Sequence, residues 1–154
     1  MKNIEVLVNN EKLFVKGGFD TTRNMITGKK ALTPKLDLVD EDGLPYAYIT
    51  RNLGEFIGMP GIAYIDGNAL YDIEKMMKDF NLGVKTIFKK QSGFCMYPAY
   101  FINPDILESL CDERELKKYI LSYDFENEGL TYESLMADLK KAYSEALKEL
   151  ELGA

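Results

Sequence analysis

A chain of 154 residues, 46% apolar and 29% charged, has the length and composition that build one hydrophobic core, and it lacks the low-hydrophobicity signature of disorder. Its 19 basic and 25 acidic residues leave a net charge of −6, which works against a nucleic-acid backbone or an anionic lipid surface as the main partner. No stretch approaches the roughly 20 apolar residues of a membrane span, and Met1-Lys2-Asn3-Ile4-Glu5 places charge where a secretory leader needs an apolar run, so the expectation is a cytoplasmic protein.

The first apolar alternation, Ile4, Val6 and Val8, is followed by Asn9-Asn10-Glu11 and then Leu13 and Val15, which predicts a β-hairpin with one apolar face. Gly17-Gly18, Thr21-Thr22, Gly28 and Pro34 then interrupt every period, so Gly17 to Lys35 is predicted to be a long irregular connection. A second hairpin is predicted from Leu36 and Leu38 through the turn Asp40-Glu41-Asp42-Gly43 to Leu44–Thr50, with Gly43 supplying a positive φ. Gly54, Gly58, Pro60 and Gly61 mark a loop, and Ile62–Ile65 a short strand.

Asn68 can cap a helix over 69–80, on which Leu70, Ile73, Met77 and Phe80 recur at helical spacing, with Gly83 placed as its C-terminal cap. Val84–Lys89 and Phe94–Ile102 read as two further strands, which allows a strand-helix-strand crossover, and Pro98 assigns its strand to a sheet edge or a bulge. Asn103-Pro104 and the Asp112/Glu115 pair open one broken helix or two short ones over 104–121. Thr131 caps a last helix whose stripe of Tyr132, Met136, Leu139, Tyr143, Ala146 and Leu150 is expected to dock on the domain's own sheet rather than on a second copy. The expected fold is a single α+β domain over 1–154. It has a mostly antiparallel sheet of about six to seven strands with one central helix in a sheet-rich core (1–103), and a C-terminal helical tail (104–154).

The acidity belongs to that tail, since residues 104–154 hold 13 acids against 6 bases and residues 1–103 hold 12 against 13. Such a surface suits a protein partner with a basic surface; the plainer alternative is a solvated helix that keeps the protein soluble. Histidine is absent, which removes Ser-His-Asp and Cys-His catalysis and His-ligated zinc, and the expectation leans away from an enzyme, with no cofactor or metal. Cys95 and Cys111 share no Cys-x-x-Cys spacing and are expected as free thiols. Cys95 could act as a nucleophile if Lys89 or Lys90 depressed its pKa, making a small cysteine-dependent enzyme or ligand binder the alternative, but a small apolar residue turned into the sheet is the preferred reading.

Asp40, Asp42 and Gly43 lack the remaining ligands of a calcium loop, and Gly28-Lys29-Lys30 lacks the flanking residues of a phosphate loop. Ten tyrosines and eight phenylalanines invite an interaction role. Tyr46 and Tyr48 alternate and are expected on one side of a strand, while Tyr97, Tyr100 and Phe101 crowd the presumed edge. The candidate contact set is Tyr46, Tyr48, Tyr97 and Tyr100 with Glu126, Glu128, Glu133, Asp138 and Glu145; the alternative for the tyrosines is the margin of the core.

Gly43-Leu44-Pro45-Tyr46-Ala47-Tyr48-Ile49-Thr50-Arg51-Asn52-Leu53, Ile62–Asp66 and Ser92-Gly93-Phe94-Cys95-Met96-Tyr97-Pro98-Ala99-Tyr100 carry a resemblance. Over residues 36–102 the chain resembles a family of small bacterial proteins carried on phages, plasmids and conjugative elements, whose members pair a Gly-x-Pro-Tyr-Ala strand with a later Ser-Gly-Phe/Tyr-Cys-x-Tyr-Pro strand. The resemblance assigns no catalytic role to Cys95 or to any tyrosine, and it leaves 104–154 as a helical addition. By analogy with other small mobile-element proteins it implies an anti-defence inhibitor, of CRISPR-inhibitor or antirestriction type, binding a nuclease or CRISPR effector. A homodimeric structural protein joined through residues 131–150 is the third reading, so both monomer and homodimer are expected possibilities.

Overall fold

A computed structural model of the chain describes residues 4–25, 28–56, 60–66, 72–122 and 131–152. Its elements are β1 (Ile4–Val8), β2 (Glu11–Asn24), β3 (Lys30–Val39), β4 (Pro45–Tyr48), β5 (Thr50–Arg51), β6 (Glu55–Phe56), β7 (Ile62–Ile65), α1 (Ile73–Asp79), β8 (Gly83–Ser92), β9 (Cys95–Ile102), α2 (Pro104–Leu110), α3 (Glu113–Leu121) and α4 (Tyr132–Leu152). The class is α+β with antiparallel sheets. Among the described residues there are, instead of one sheet of six or seven strands with one central helix, two sheets, ordered β1-β2-β3-β4 and β5-β7-β9-β8, with β6 adding a short parallel pairing to β2, and four helices.

The division into two sheets happens at Ile49. Its N–H donates to Leu36 O on β3 at 3.1 Å, while its carbonyl accepts from Asp66 N beside β7 at 2.9 Å. Thr50 Oγ1 accepts the Leu36 N–H at 3.0 Å, so a side chain replaces the next rung of the first sheet and frees the backbone to enter the second.

In the first sheet Asn9 and Asn10 have φ of 51° and 66°, the pair of left-handed residues that closes a two-residue hairpin with Val8 opposite Glu11. The expected irregular connection from Gly17 to Lys35 is instead regular strand, paired continuously from Phe14↔Val39 to Arg23↔Lys30. Gly17 does not break the strand because it serves a close approach: a Cβ there would lie 2.7 Å from Leu110 Cβ and 3.2 Å from Cys111 Sγ on the helix that crosses it. The β-branched Thr21, Thr22 and Thr33 suit the pleated surface on either side of the turn.

In the second sheet β7 and β8 both run antiparallel to β9, which lies between them, so β7-α1-β8 is a crossover split by an inserted strand. Over Tyr100–Phe101 β9 therefore has partners on both sides and is no edge there, while the register break in β8 between Lys85 and Lys89, opposite Ala99, meets the bulge alternative expected for this strand. Among the described residues Cys95–Pro98 pair with β8, on one side, and Pro98 falls in this stretch, where its missing N–H breaks no second ladder.

Asp72 caps α1 by accepting from Lys75 N at 3.0 Å; the cap proposed at Asn68, and Leu70 with it, lie outside the described residues. Gly83 is not the C-terminal cap. Asn81 takes the left-handed φ of 49° there, and Gly83 starts β8 at a point where a Cβ would meet Phe101 O at 2.7 Å. Asn103, Asp112 and Thr131 cap α2, α3 and α4 as expected, each side-chain oxygen accepting from a first-turn amide.

Val15, Leu36 and Leu38 of the first sheet meet Ile65 and Ile102 of the second, Ile73 and Met77 of α1, Leu107 of α2, Leu116 and Tyr119 of α3, and Met136 and Leu139 of α4 in one core. The helices after residue 103 are thus part of the core, and α4 buries Met136, Leu139 and Tyr143 against the domain itself. Tyr119 Oη accepts from the buried Gly61 N–H at 2.6 Å, and Tyr143 Oη donates to Asn81 Oδ1 at 2.8 Å, so both phenols tie helices to loops 58 and 62 residues away in sequence. No helix among the described residues is long and apolar enough to cross a membrane.

Candidate functional site

The expected tyrosine set is divided by the fold. A bulge between Leu38 and Val39 interrupts the alternation of β4: Tyr46 packs on the main core, whereas Tyr48 is exposed with the Arg51 guanidinium 5.6 Å from its ring centre. Tyr97 and Tyr100 stand three positions apart on β9 and so face opposite sides of the sheet. Tyr97 joins Ile62, Tyr64 and Ala99 in a small second cluster. Tyr100 is buried; its hydroxyl donates to Glu74 Oε1 at 2.7 Å, and Lys85 Nζ lies 3.0 Å from the same oxygen. The hydrogen bond from Tyr100 holds the Glu74 carboxyl below its ordinary value against the opposing effect of burial, and burial together with Glu74 pushes the Tyr100 phenol up. The trio fastens α1 to the second sheet.

Glu133, Asp138 and Glu145 are exposed on α4, and Glu126 and Glu128 lie outside the described residues. Asp138, Lys141, Glu145 and Lys148 follow one another at spacings of three and four, so this helix face alternates in sign. On α2 Asp105 and Glu108 both hold Lys140, at 3.3 and 3.0 Å, and on α3 Glu113 holds Lys117 at 3.2 Å. With Tyr46 and Tyr100 turned inward, the expected tyrosines and acids do not make one exposed set.

The Gly43–Leu53 segment borders a polar cleft of about 280 Å³ lined by Asp20, Lys35, Tyr48, Thr50, Arg51 and Asn52. Lys35 Nζ sits 3.8 Å from Asp20 and 3.7 Å from Asp37, and burial, with Asp20 adding to it and Lys35 opposing, raises the Asp37 pKa. Thr50 is engaged with Leu36, and Asn52 donates to Thr21 O at 2.9 Å and accepts from Gly54 N at 3.0 Å. These polar groups hold the chain where it passes between sheets, which leaves the cleft without an assembled nucleophile and base.

Among the described residues the most exposed apolar side chains lie elsewhere, on a two-stranded ribbon whose exposure the sequence reading did not foresee. Lys89↔Pro98, Lys90↔Tyr97, Gln91↔Met96 and Ser92↔Cys95 extend β8 and β9 past the last pairing with β7, and Gly93 (φ 61°) and Phe94 close the turn. At the base, extra β8 residues between Lys85 and Lys89 bulge outward. Thr86 Oγ1 donates to Ala99 O at 2.7 Å and accepts from Phe88 N at 3.1 Å, which fixes the bulge and turns Ile87 to 90% exposure. Phe94 at the tip is fully exposed, and Phe88 and Met96 are also open to solvent. Single exposed apolar residues are ordinary, but a cluster of them on one projecting element marks a contact surface. Between Asp79 and Asp105 the sequence carries Lys85, Lys89 and Lys90 and no acid, and that acid-free run in a chain of net −6 is the signal by which the ribbon could have been found.

Both cysteines are free. Cys95 is half-buried on the ribbon, and Cys111 is buried under α2 with its thiol pushed up to about 12 by burial and by Glu115. Among the described residues no group of three His, Cys, Asp or Glu side chains is placed to hold a metal ion. A protein-family model described as a domain of unknown function, DUF4313, matches residues 28–121. The chain belongs to this family. The DUF4313 match runs from the turn before β3 to the end of α3, so it takes in the ribbon, α2 and α3, and leaves β1, β2 and α4 outside. No curated protein and no solved structure matches the chain.

Proposed function

We propose that this DUF4313 protein is a non-enzymatic interaction protein and that the β8–β9 ribbon is its main contact element. The observation that carries the reading is the exposure of Ile87 at the base and Phe94 at the tip of one element that also carries Lys89 and is held to the body at one end.

The more specific role we propose is that of a cytoplasmic anti-defence inhibitor from a mobile element, contacting a nuclease or CRISPR effector. Its support is the net charge of −6 and the exposed Glu133, Asp138 and Glu145, which suit a basic protein surface. The test is capture of host nuclease complexes by the purified chain at rising salt, in parallel with a Phe94→Ser/Ile87→Ser variant whose circular dichroism and melting are unchanged. Capture that the ribbon variant abolishes is expected. Capture that ignores both the variant and the salt, or measured turnover of a small substrate that Cys95→Ser abolishes, overturns the reading.

A further inference from the structure

Leu7, Val8, Asn9, Asp72, Lys75, Met76, Asp79 and Phe80 line a groove of about 340 Å³ between the end of β1 and α1. Its floor is apolar: Met76 is buried, Val8 and Phe80 are half-buried, and Leu7 stands 66% exposed at the lip. Its rim is acidic, with Asp72 and Asp79 against Lys75, whose ammonium is already 2.6 Å from Asp79. The groove is matched in chemistry by the ribbon, which presents a fully exposed phenylalanine at its tip, carries Lys89 and Lys90 further down its strand and has no acid. The volume accommodates a phenyl ring, and methionine beside an aromatic edge is a favourable contact.

Building on the reading of the ribbon as a contact element, we propose that its partner is a second copy of this chain: Phe94 of each protomer enters the Leu7–Val8–Met76–Phe80 groove of the other, with Lys89 near Asp72 or Asp79. Charge decides for this occupant. A nucleic acid or an anionic bilayer is negative wherever it meets a chain at −6, whereas a second copy, also at −6, sets Asp72 and Asp79 at the groove against Lys89 and Lys90 of the ribbon, a short-range match that persists when salt screens the net repulsion. Reciprocity matters as well. One aromatic ring contributes only about 150–250 Å² of contact, and a two-fold exchange doubles every ribbon–groove contact and closes the assembly.

Sedimentation equilibrium of the full chain tests the proposal. The expected result is a species of twice 17.5 kDa, with Phe94→Ser and Leu7→Glu each raising the dimer dissociation constant at least tenfold. Both sites are exposed, so both variants should keep the wild-type circular dichroism. Mixing the two variants restores one intact contact, a native ribbon on a native groove, so a one-to-one heterodimer tighter than either variant's self-association is the decisive positive result. A wild-type chain that stays monomeric, a dimer indifferent to both substitutions, or a mixture that gains nothing overturns the proposal. A monomer whose ribbon still captures a nuclease complex refutes self-pairing and leaves the interaction role standing.

Discussion

Gly17 and Gly18 are neighbours of the same type in the same strand, yet the fold uses them differently. A methyl group at Gly17 collides with Leu110 Cβ and presses on Cys111 Sγ, whereas at Gly18 it meets nothing within 4 Å. Gly17→Ala is expected to cost about 1–3 kcal/mol in urea unfolding, because α2 must shift away from β2. Gly18→Ala should be neutral or slightly stabilising, since it removes glycine's extra chain entropy from an open strand position. Equal effects would mean that α2 does not cross β2 at this point. From sequence the two were indistinguishable, and both read as breakers, because the contact that distinguishes them joins residues more than 90 positions apart.

At the scale of elements, whatever depends on three or four consecutive residues was legible. Asp112 accepts from Arg114 N and Glu115 N at 3.0 and 3.2 Å, the cap that its spacing to Glu115 announced. Asp112→Ala should destabilise the protein by about 1 kcal/mol in urea unfolding without changing its exposed ribbon, and Asp112→Asn should recover most of the loss. The Asn9-Asn10 turn was equally plain. Strand length and placement were not, because a strand is completed by neighbours distant in the chain: β2 runs on through its glycines because β3 pairs with it and α2 packs on it. The candidate site suffered for the same reason. Alternation placed Tyr46 and Tyr48 together, and a bulge that no local rule signals separated them. Of the ribbon, Lys89 and Cys95–Pro98 were read as strand and Lys90–Ser92 were not, and its exposure follows from β7 ending where it does.

Across the whole molecule, the buried phenols and thiol make alkaline pH the sensitive side. Tyr143 is pushed up from 10.0 to about 12 and Cys111 from 9.0 to about 12, both mainly by burial, with Tyr100 raised as well. Their folded-state values lie above the unfolded ones, so in that interval the native state binds more protons, and stability must fall as pH rises. The contribution is complete below about pH 9 and is lost progressively toward pH 12. Urea midpoints measured from pH 8 to 11.5 should show this decline, and Tyr143→Phe should make it shallower by up to about 1.4 kcal/mol per pH unit, the linkage of one proton. An unchanged slope in that variant would place the Tyr143 hydroxyl in solvent.

By itself the sequence determined the α+β class, the hairpin turns, the caps of α2, α3 and α4, the inward stripe of α4 and the two free thiols, because each rests on spacing, propensity or composition within a short window. Tertiary structure alone decided that the strands form two sheets with an exchange at Ile49, that β9 is inserted between β7 and β8, which tyrosines face the core, and that a lysine-flanked apolar ribbon stands open to solvent. Burial and pairing are properties of what arrives from elsewhere in the chain, and no local pattern encodes where a neighbouring strand stops.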